Sequence, residues 1–372
     1  MKALRSVLRK SAAAAFSVAA ALVLPATPTS AQAADKARQH SAPNEDSAAK
    51  RFGLGSWNEV VVNVTDLSES SAWLMRDGGW RVASAGPIDP REIAYWGLPD
   101  SVSGAYRKIC APKTRRGCIR YVRFDGIKDQ KPIRPASRPW DTGGIFSIML
   151  RSQDTQAMFD AAIRRGWWAE SPPYAFSFGG SDLLNVVIRG PHGVNYALYE
   201  RKSPAFTGFP VDKLSQAFNT MRMVKDQPAS LAWYRNRLGL VPLFDAPFTD
   251  PEPRPNNFSI PANLATTLLR RAAVVQPVAT SEDGRIELMQ FEGFEGRNYS
   301  ENASPPNLGI ISVRYPVRDS EAYAAFLKTN GVTIEKSGEG LRIPGLGQSG
   351  VYRTLFAVRD PDGNLTEFYD AE

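Results

Sequence analysis

Histidine and cysteine are scarce in this chain of 372 residues, which contains two of each. No further Cys or His accompanies the cysteines, so a zinc-binding cluster of these residues is excluded. The signatures of a hydrolase nucleophile (G-x-S-x-G) and of a phosphate-binding P-loop are also absent. His192 is the only histidine expected in the folded part, and it stands in a Pro-His-Gly turn where a solvated side chain is expected.

Long apolar runs are missing after the N-terminus, and a membrane span needs about 20 such residues. The N-terminus itself begins with basic residues, continues with a short uncharged apolar stretch at 12–24, and reaches Ala31-Gln32-Ala33, a small-x-small cleavage pattern. A membrane anchor is the alternative, but the apolar stretch is short for one. We therefore predict a signal peptide at 1–33, export to a periplasm, and a disordered polar leader at 34–55.

A strong excess of positive charge is absent once the signal peptide is removed. The formal net charge of +7 includes four bases and no acids in residues 1–33, which leaves about +3 on the remainder. No stripe of Lys and Arg with interleaved aromatic residues is present. Nucleic acid is therefore not an expected partner, and a small molecule is.

Cys110 and Cys118 flank a Pro- and Gly-containing loop between two strand-like runs. In an oxidising compartment this arrangement predicts a disulfide that clamps a hairpin. The alternative is a metal or redox pair. The spacing is not Cys-x-x-Cys, and no further ligand lies nearby, so we prefer the disulfide.

Four segments repeat one pattern, in which a strand is followed by Asp, an amphipathic helix and Gly. The Asp-to-Gly interval is 12, 12, 13 and 12 residues, in the pairs Asp66–Gly78, Asp154–Gly166, Asp226–Gly239 and Asp319–Gly331. Asp favours the start of a helix and Gly its end, and about three helical turns fit between them. The sequence therefore predicts four β-α-β-β-β modules.

The last module ends in Asp-Pro-Asp-Gly-Asn-Leu-x-Glu-Phe at 360–368, and the pattern of modules resembles the vicinal oxygen chelate superfamily. This superfamily includes glyoxalase I and the extradiol dioxygenases. The resemblance implies an α+β fold of four βαβββ modules, paired into two half-open barrels that each cup a ligand. We expect consecutive modules to pair, giving one domain at 56–202 and a second at 212–372.

The resemblance also implies where ligands for a metal would stand, on the first and last strands of each module. The first-strand positions hold Glu59, Ser147, Asn219 and Ser312. On the last strands, the fourth module gives Glu367 as a close match, the third gives Glu287, the second gives Ala197 and the first gives roughly Tyr121.

This pattern lacks the His ligands that iron-dependent ring cleavage would need. An all-oxygen site of Glu287, Glu367, Asn219 and Ser312 would suit Mg, Mn or Ca. The open alternative is that both glutamates are polar remnants and that no metal binds.

Aromatic residues supply the remaining signal. Tyr174, Phe176 and Phe178 alternate along a strand-like run, and with Glu59 they are candidate ligand-binding residues. The leading hypothesis is an exported lyase, isomerase or hydrolase for a small oxygenated compound, such as an aromatic one, with Glu287 and Glu367 as catalytic groups. The alternatives are a non-catalytic protein that binds or sequesters such a compound, and a purely structural first half.

Overall fold

The computed structural model describes residues 47–135, 138–178, 180–278, 280–346 and 354–371. The predicted signal peptide and most of the predicted leader lie outside the described residues. Residues 47–55 do not behave as a disordered leader, because helix α1 (Ala48–Arg51) buries Ala49 and is followed by the buried Phe52. The Phe52 ring lies 5.3 Å from that of Tyr323, so apolar contact holds this segment on the fold.

The first two modules contain the expected elements with small additions. The first comprises β1 (Glu59–Asn63), α2 (Leu67–Ala72, continued by a π-helical turn at Trp73–Asp77), β2 (Arg81–Pro87), α3 (Pro90–Tyr95), β3 (Ser103–Cys110) and β4 (Cys118–Asp125). The second comprises β5 (Ser147–Ser152), α4 (Thr155–Arg164), β6 (Trp168–Ala169), β7 (Tyr174–Phe178), β8 (Ser181–Arg189) and β9 (Asn195–Ser203).

The third and fourth modules follow the same order. The third comprises β10 (Leu214–Met223), α5 (Gln227–Asn236), β11 (Val241–Phe248), β12 (Arg270–Gln276) and β13 (Arg285–Phe291). The fourth comprises β14 (Gly309–Val317), α6 (Ser320–Thr329), β15 (Lys336–Glu339), β16 (Thr354–Arg359) and β17 (Leu365–Asp370). No helix among the described residues is long and apolar enough to cross a membrane.

The predicted aspartates begin the module helices. The side chains of Asp66, Asp154, Asp226 and Asp319 each accept a hydrogen bond from a backbone N–H in the first helical turn. Such caps satisfy N–H groups that have no partner within the helix. The repeat is therefore confirmed as a repeat of helix-capping geometry.

The modules pair differently from the predicted order. The eight-stranded sheet I combines the first and fourth modules in the order β15-β16-β17-β14-β1-β4-β3-β2. The nine-stranded sheet II combines the third and second in the order β11-β12-β13-β10-β5-β9-β8-β6, with β7 paired to β8. Consecutive pairing is therefore wrong, and the predicted domains at 56–202 and 212–372 do not coincide with the two sheets. The sheets are curved and open.

A buried charge pair explains why the outer modules meet. Glu59 on β1 and Arg314 on β14 are direct antiparallel partners and form an ion pair. Pairing the first module with the second would leave both charges buried without this partner, which is costly.

One core joins the two sheets. It includes Trp73, Ala162, Leu231 and Leu327 from the helical segments of the four modules, together with strand residues of both sheets. The hydroxyls of Tyr121 on β4 and Tyr196 on β9 meet at 2.8 Å inside it. The opposite face of each sheet carries a separate apolar cluster. We call these faces cup I and cup II.

The predicted disulfide is present between Cys110 and Cys118, at the connection of β3 to β4. Replacing both cysteines with alanine should lower the free energy of unfolding by about 2–3 kcal/mol, because the open loop regains entropy in the unfolded chain. Urea unfolding of the variant and of the oxidised parent measures the difference. A free-thiol assay of the unreduced parent should find no thiol, and two reactive thiols would contradict the pairing.

Candidate functional site

The strand register defines four equivalent positions in each cup. In every module, the last-strand position pairs with the residue that stands two places after the first-strand position. These strand partners are Val61 and Arg120, Met149 and Ala197, Met221 and Glu287, and Arg314 and Glu367. The first module therefore presents Arg120 rather than the expected Tyr121. A shift of one residue along a strand reverses the face, and Tyr121 points into the shared core.

The predicted metal ligands are divided between the two cups. Ser312 and Glu367 lie in cup I with Glu59, whereas Asn219 and Glu287 lie in cup II. Glu287 and Glu367 therefore do not converge, and the predicted site built from all four residues is wrong. The cause is the pairing of modules, because the third and fourth modules belong to different sheets.

Glu59 lies at the bottom of cup I among three cations. Its Oε1 lies 2.7 Å from Nε of Arg120 and 3.1 Å from Nη1 of Arg314, and its Oε2 lies 3.1 Å from Nζ of Lys108. All four side chains are buried. Burial would raise the pKa of Glu59, but the charges of Arg120, Lys108 and Arg314 lower it to about 2. Glu59 is thus held as a carboxylate.

Arg314 connects this carboxylate to two others. Its Nη2 lies 2.8 Å from Oε1 of Glu92 on α3, and its Nε lies 3.1 Å from Oε2 of Glu367 on β17. Ser312 donates a hydrogen bond to the same Glu367 oxygen. Burial raises the pKa of Glu367, and Arg314 and Ser312 oppose this effect. The network holds three cations and three carboxylates, so its formal charge is balanced.

Cup I does not fit a divalent metal ion. The guanidinium of Arg314 lies between the carboxylates of Glu59, Glu92 and Glu367, where it supplies the positive charge that an ion would supply. Arg120 and Lys108 also donate to the carbonyl oxygens of Pro344 and Gly345, at 2.6 and 2.7 Å, which seals the cup from above. In the part of the chain that the structure describes, no three His, Cys, Asp or Glu side chains are placed to hold a metal.

Cup II has a different chemical character. Glu287 is half-buried there, and its hydrogen-bond partner is the Nδ2 of Asn219 at 3.4 Å. Among the described residues, no Lys or Arg forms an ion pair with it. Burial raises its pKa to about 7. The other two equivalent positions, Ser147 and Ala197, carry no charge.

Apolar side chains surround Glu287. The cluster on this face is rich in methionine and phenylalanine and includes Phe146, Met149, Phe218, Met221, Met223, Phe258, Met289 and Phe291. Tyr199 packs against it, and burial together with the nearby Glu287 charge raises the pKa of the Tyr199 hydroxyl. Tyr199 therefore stays a neutral hydrogen-bond donor beside a carboxyl that can gain or lose a proton near neutrality.

The predicted aromatic residues lie on β7, at one edge of sheet II. The Tyr174 and Phe176 rings are 5.7 Å apart, and the exposed Phe178 lies 5.0 Å from Phe244 on β11 at the other edge of the sheet. These residues thus stand at the rim of cup II. A cleft of about 420 Å³ opens beside the cup, lined by Arg138, Trp140, Ser259, Ile260, Pro261, Leu264 and Phe294.

His192 lies outside both cups, as the sequence suggested, whereas the charged network of cup I contains residues that the sequence analysis did not single out. His192 is half-buried in a turn, where its Nε2 accepts a hydrogen bond from the Thr65 N–H, so it takes no part in either cup. Lys108, Arg120, Arg314 and Glu92 were not predicted as site residues. Arg120 stands between Ile119 and Tyr121, and Arg314 stands between Val313 and Tyr315. A charged residue between such neighbours on a strand is the signal that could have marked them.

The comparisons with known proteins agree with this architecture. Residues 216–368 match the family model described as Glyoxalase/Bleomycin resistance protein/Dioxygenase superfamily. The structure is similar to glyoxalase I from Zea mays, with a TM-score of 0.57 at 15% identity over 87% of this chain and 94% of that one. The V278E mutant of the same maize protein gives a TM-score of 0.56 at 16% identity, over 91% and 96% of the two chains.

A putative dioxygenase from Bacillus subtilis is more distant, with a TM-score of 0.49 at 11% identity over 85% of each chain. No curated protein sequence matches the chain. At these identities the structural neighbours show the fold. Residues 216–368 thus match the glyoxalase/bleomycin resistance/dioxygenase superfamily, also called the vicinal oxygen chelate superfamily, and the likeness of the whole chain to maize glyoxalase I shows the same fold.

The network in cup I yields a prediction about stability. Replacing Arg314 with alanine should lower the free energy of unfolding by about 3–5 kcal/mol, because it leaves buried carboxylates without their cation. Urea unfolding measures the loss. Arg164→Ala, at an exposed position on α4, is the matched control and should change stability by less than about 0.5 kcal/mol. A loss below about 1 kcal/mol for Arg314→Ala would contradict the network's structural role.

Proposed function

We propose that the protein is an enzyme that acts on a small oxygenated compound with an apolar or aromatic body, bound in cup II, and that Glu287 is its general acid and base. One observation carries the proposal. Glu287 is an isolated carboxyl group in a methionine- and phenylalanine-lined cup, and its pKa is raised to about 7 by burial. Perturbed carboxyl groups in concave apolar sites are typical of catalytic positions.

The chemistry supported by this arrangement is proton transfer. With a pKa near neutrality, Glu287 can take a proton from the substrate and return it at a different atom, as isomerases and lyases require. The Asn219 amide holds Glu287 from one side, and the neutral Tyr199 hydroxyl can donate a hydrogen bond to a substrate oxygen. Hydrolysis is compatible if Glu287 instead activates a water molecule.

A metal ion is not part of this proposal. The carboxylates of cup I are already bound to arginine and lysine, and cup II contributes one carboxyl, one amide and the Ser147 hydroxyl among its four equivalent positions. Three oxygen-bearing side chains, of which one can be charged, are few for Mg, Mn or Ca, which prefer six or more oxygen ligands or water in their place. The role supported for cup I is structural.

A non-catalytic binding protein is the second candidate, and the lining of cup II supports it. Methionine side chains adapt to ligands of different shape, and the cup presents a single acidic group. The two candidates differ in one respect. A Glu287→Gln variant would keep ligand binding in both, whereas it would abolish turnover only in an enzyme.

Export is proposed on the N-terminal sequence, in which a basic stretch, an apolar stretch and a cleavage pattern follow one another. The disulfide between Cys110 and Cys118 is compatible with an oxidising compartment. A small organic molecule is the partner that the cup suggests.

The raised pKa of Glu287 yields a pH-dependent prediction. Between about pH 4.5 and 7 the folded protein keeps a proton on Glu287 that the unfolded chain releases, so rising pH should favour unfolding over this range. Relative to Glu287→Gln, the parent protein should therefore lose up to about 3 kcal/mol of stability across this window. Urea unfolding at several pH values measures the difference.

The control for this experiment is Glu252→Gln, which removes a carboxylate from an exposed position. Its stability relative to the parent should stay constant across the same window. If the Glu287→Gln difference were equally flat, Glu287 would titrate like an ordinary carboxyl, and the acid–base role would lose its support.

A further inference from the structure

Three arginines gather at one end of cup II. Arg151 on β5, Arg201 on β9 and Arg285 on β13 lie on the face that carries Glu287 and Tyr199. Arg151 is the strand partner of Tyr199, and Arg285 is the strand partner of Asn219. Burial lowers the pKa of Arg151 to about 10, and the positive charges of Arg201 and Arg285 add to this effect.

Arg151 has no anionic partner among the residues that the structure describes. Its guanidinium stacks on two aromatic rings, 4.0 Å from the centre of Phe206 and 4.7 Å from the centre of Phe218. Stacking uses the faces of the guanidinium, so its N–H donors at the edge can still bind an acceptor. The buried Nε makes no hydrogen bond to the described residues. A buried donor without an acceptor costs free energy, and an anionic ligand would supply the acceptor.

Of the other two arginines, Arg201 is only partly satisfied, whereas Arg285 also donates from Nε to the Gln276 side chain at 3.2 Å. Arg201 lies 5.9 Å from the same Phe206 ring, donates from Nη2 to Ser181 at 2.6 Å, and has a buried Nε without a partner. Arg285 donates to the Ser281 carbonyl at 2.7 Å, and its acidic neighbour Glu282, at 3.5 Å, is 52% exposed. A solvated carboxylate neutralises such a cluster weakly. Cup I differs, because each of its arginines forms an ion pair with a buried carboxylate.

We propose that Arg151, Arg201 and Arg285 form an oxyanion-binding end of cup II, and that the compound handled there is a small organic anion, a carboxylate or phosphate ester, with an apolar or aromatic body. The forked N–H donors of arginine match both oxyanions. The body of the compound lies against Phe218 and Tyr199 and presents an oxygen-bearing carbon to Glu287, two residues from Arg285 on β13. This assignment deepens the proposed function and rests on it.

A matched pair of fluorescent probes tests the proposal. Anilinonaphthalene sulfonate and N-phenylnaphthylamine have the same aromatic body, and only the first carries an anionic group. The parent protein should bind the sulfonate at least tenfold more tightly, and Arg151→Gln should reduce this preference to about twofold or less. Fluorescence titration gives both dissociation constants, and added salt should weaken the sulfonate selectively.

Two control variants separate charge recognition from a loss of folding. Arg164→Gln removes a charge from an exposed position on α4 and should leave the preference unchanged. Glu282→Gln removes the acid beside Arg285 and should increase the preference for the sulfonate, a gain that a damaged fold would not produce. Displacement of the bound sulfonate by phenylacetate or by phenyl phosphate then identifies the preferred oxyanion, and displacement by neither would overturn the proposal.

The remaining outcomes distinguish this inference from the proposed function. If both probes bound equally and Arg151→Gln had no effect, the oxyanion-binding role of the arginines would be overturned. The proposed role of Glu287 in an apolar cup would not be affected by this result. Binding of neither probe by the folded parent would overturn both, because cup II would then accept no aromatic ligand.

Discussion

The contact of Arg314 with three carboxylates is the interaction on which the architecture depends. Glu59 belongs to the first module and Glu367 to the fourth, and Arg314 binds both from the centre of sheet I, 255 residues from Glu59 in sequence. Glu92 on α3 completes the set and ties the helix above the cup to the strands below it. A buried charge network of this kind adds little to stability over an apolar core, but breaking it is costly, so it specifies which modules pair. Because the same contact occupies the charged positions of cup I, cup II is the candidate active site.

The two cups carry different residues on the same scaffold. In cup I the four equivalent positions hold Glu59, Arg120, Ser312 and Glu367, and every charge is matched. In cup II they hold Ser147, Ala197, Asn219 and Glu287. Among the described residues, Glu287 forms no ion pair with a cation, and Arg151 at the end of the cup forms none with an anion. Balanced charge is typical of structural networks. Unbalanced groups in a concave apolar site are where a ligand can supply the missing partner.

Local features of this fold were readable from the sequence, and long-range ones were not. The Asp caps and the disulfide depend on short spacings, so the four modules and the Cys110–Cys118 bond could be predicted. The pairing of modules depends on which strand edges fit together. The sequence shows four modules but not their edges, so we expected modules that are adjacent in sequence to pair. Glu59 and Glu367 were named from their strand positions, but their partners Arg314, Arg120 and Lys108 could not be inferred, because those contacts depend on how the strands pair. Counting to Tyr121 instead of Arg120 shows how one residue of register changes the face that a side chain occupies.

Diffraction from crystals soaked with phenylacetate would test the central claim most directly, since it locates a ligand and any metal ion in one measurement. We expect density for the acid in cup II, with its carboxylate on Arg151 and its ring near Glu287, while Arg314 remains between Glu59 and Glu367 in cup I. A ligand or a metal ion bound between Glu59 and Glu367, with Arg314 displaced, would contradict the assignment of the site to cup II. It would also move the functional site to the sheet formed by the first and fourth modules.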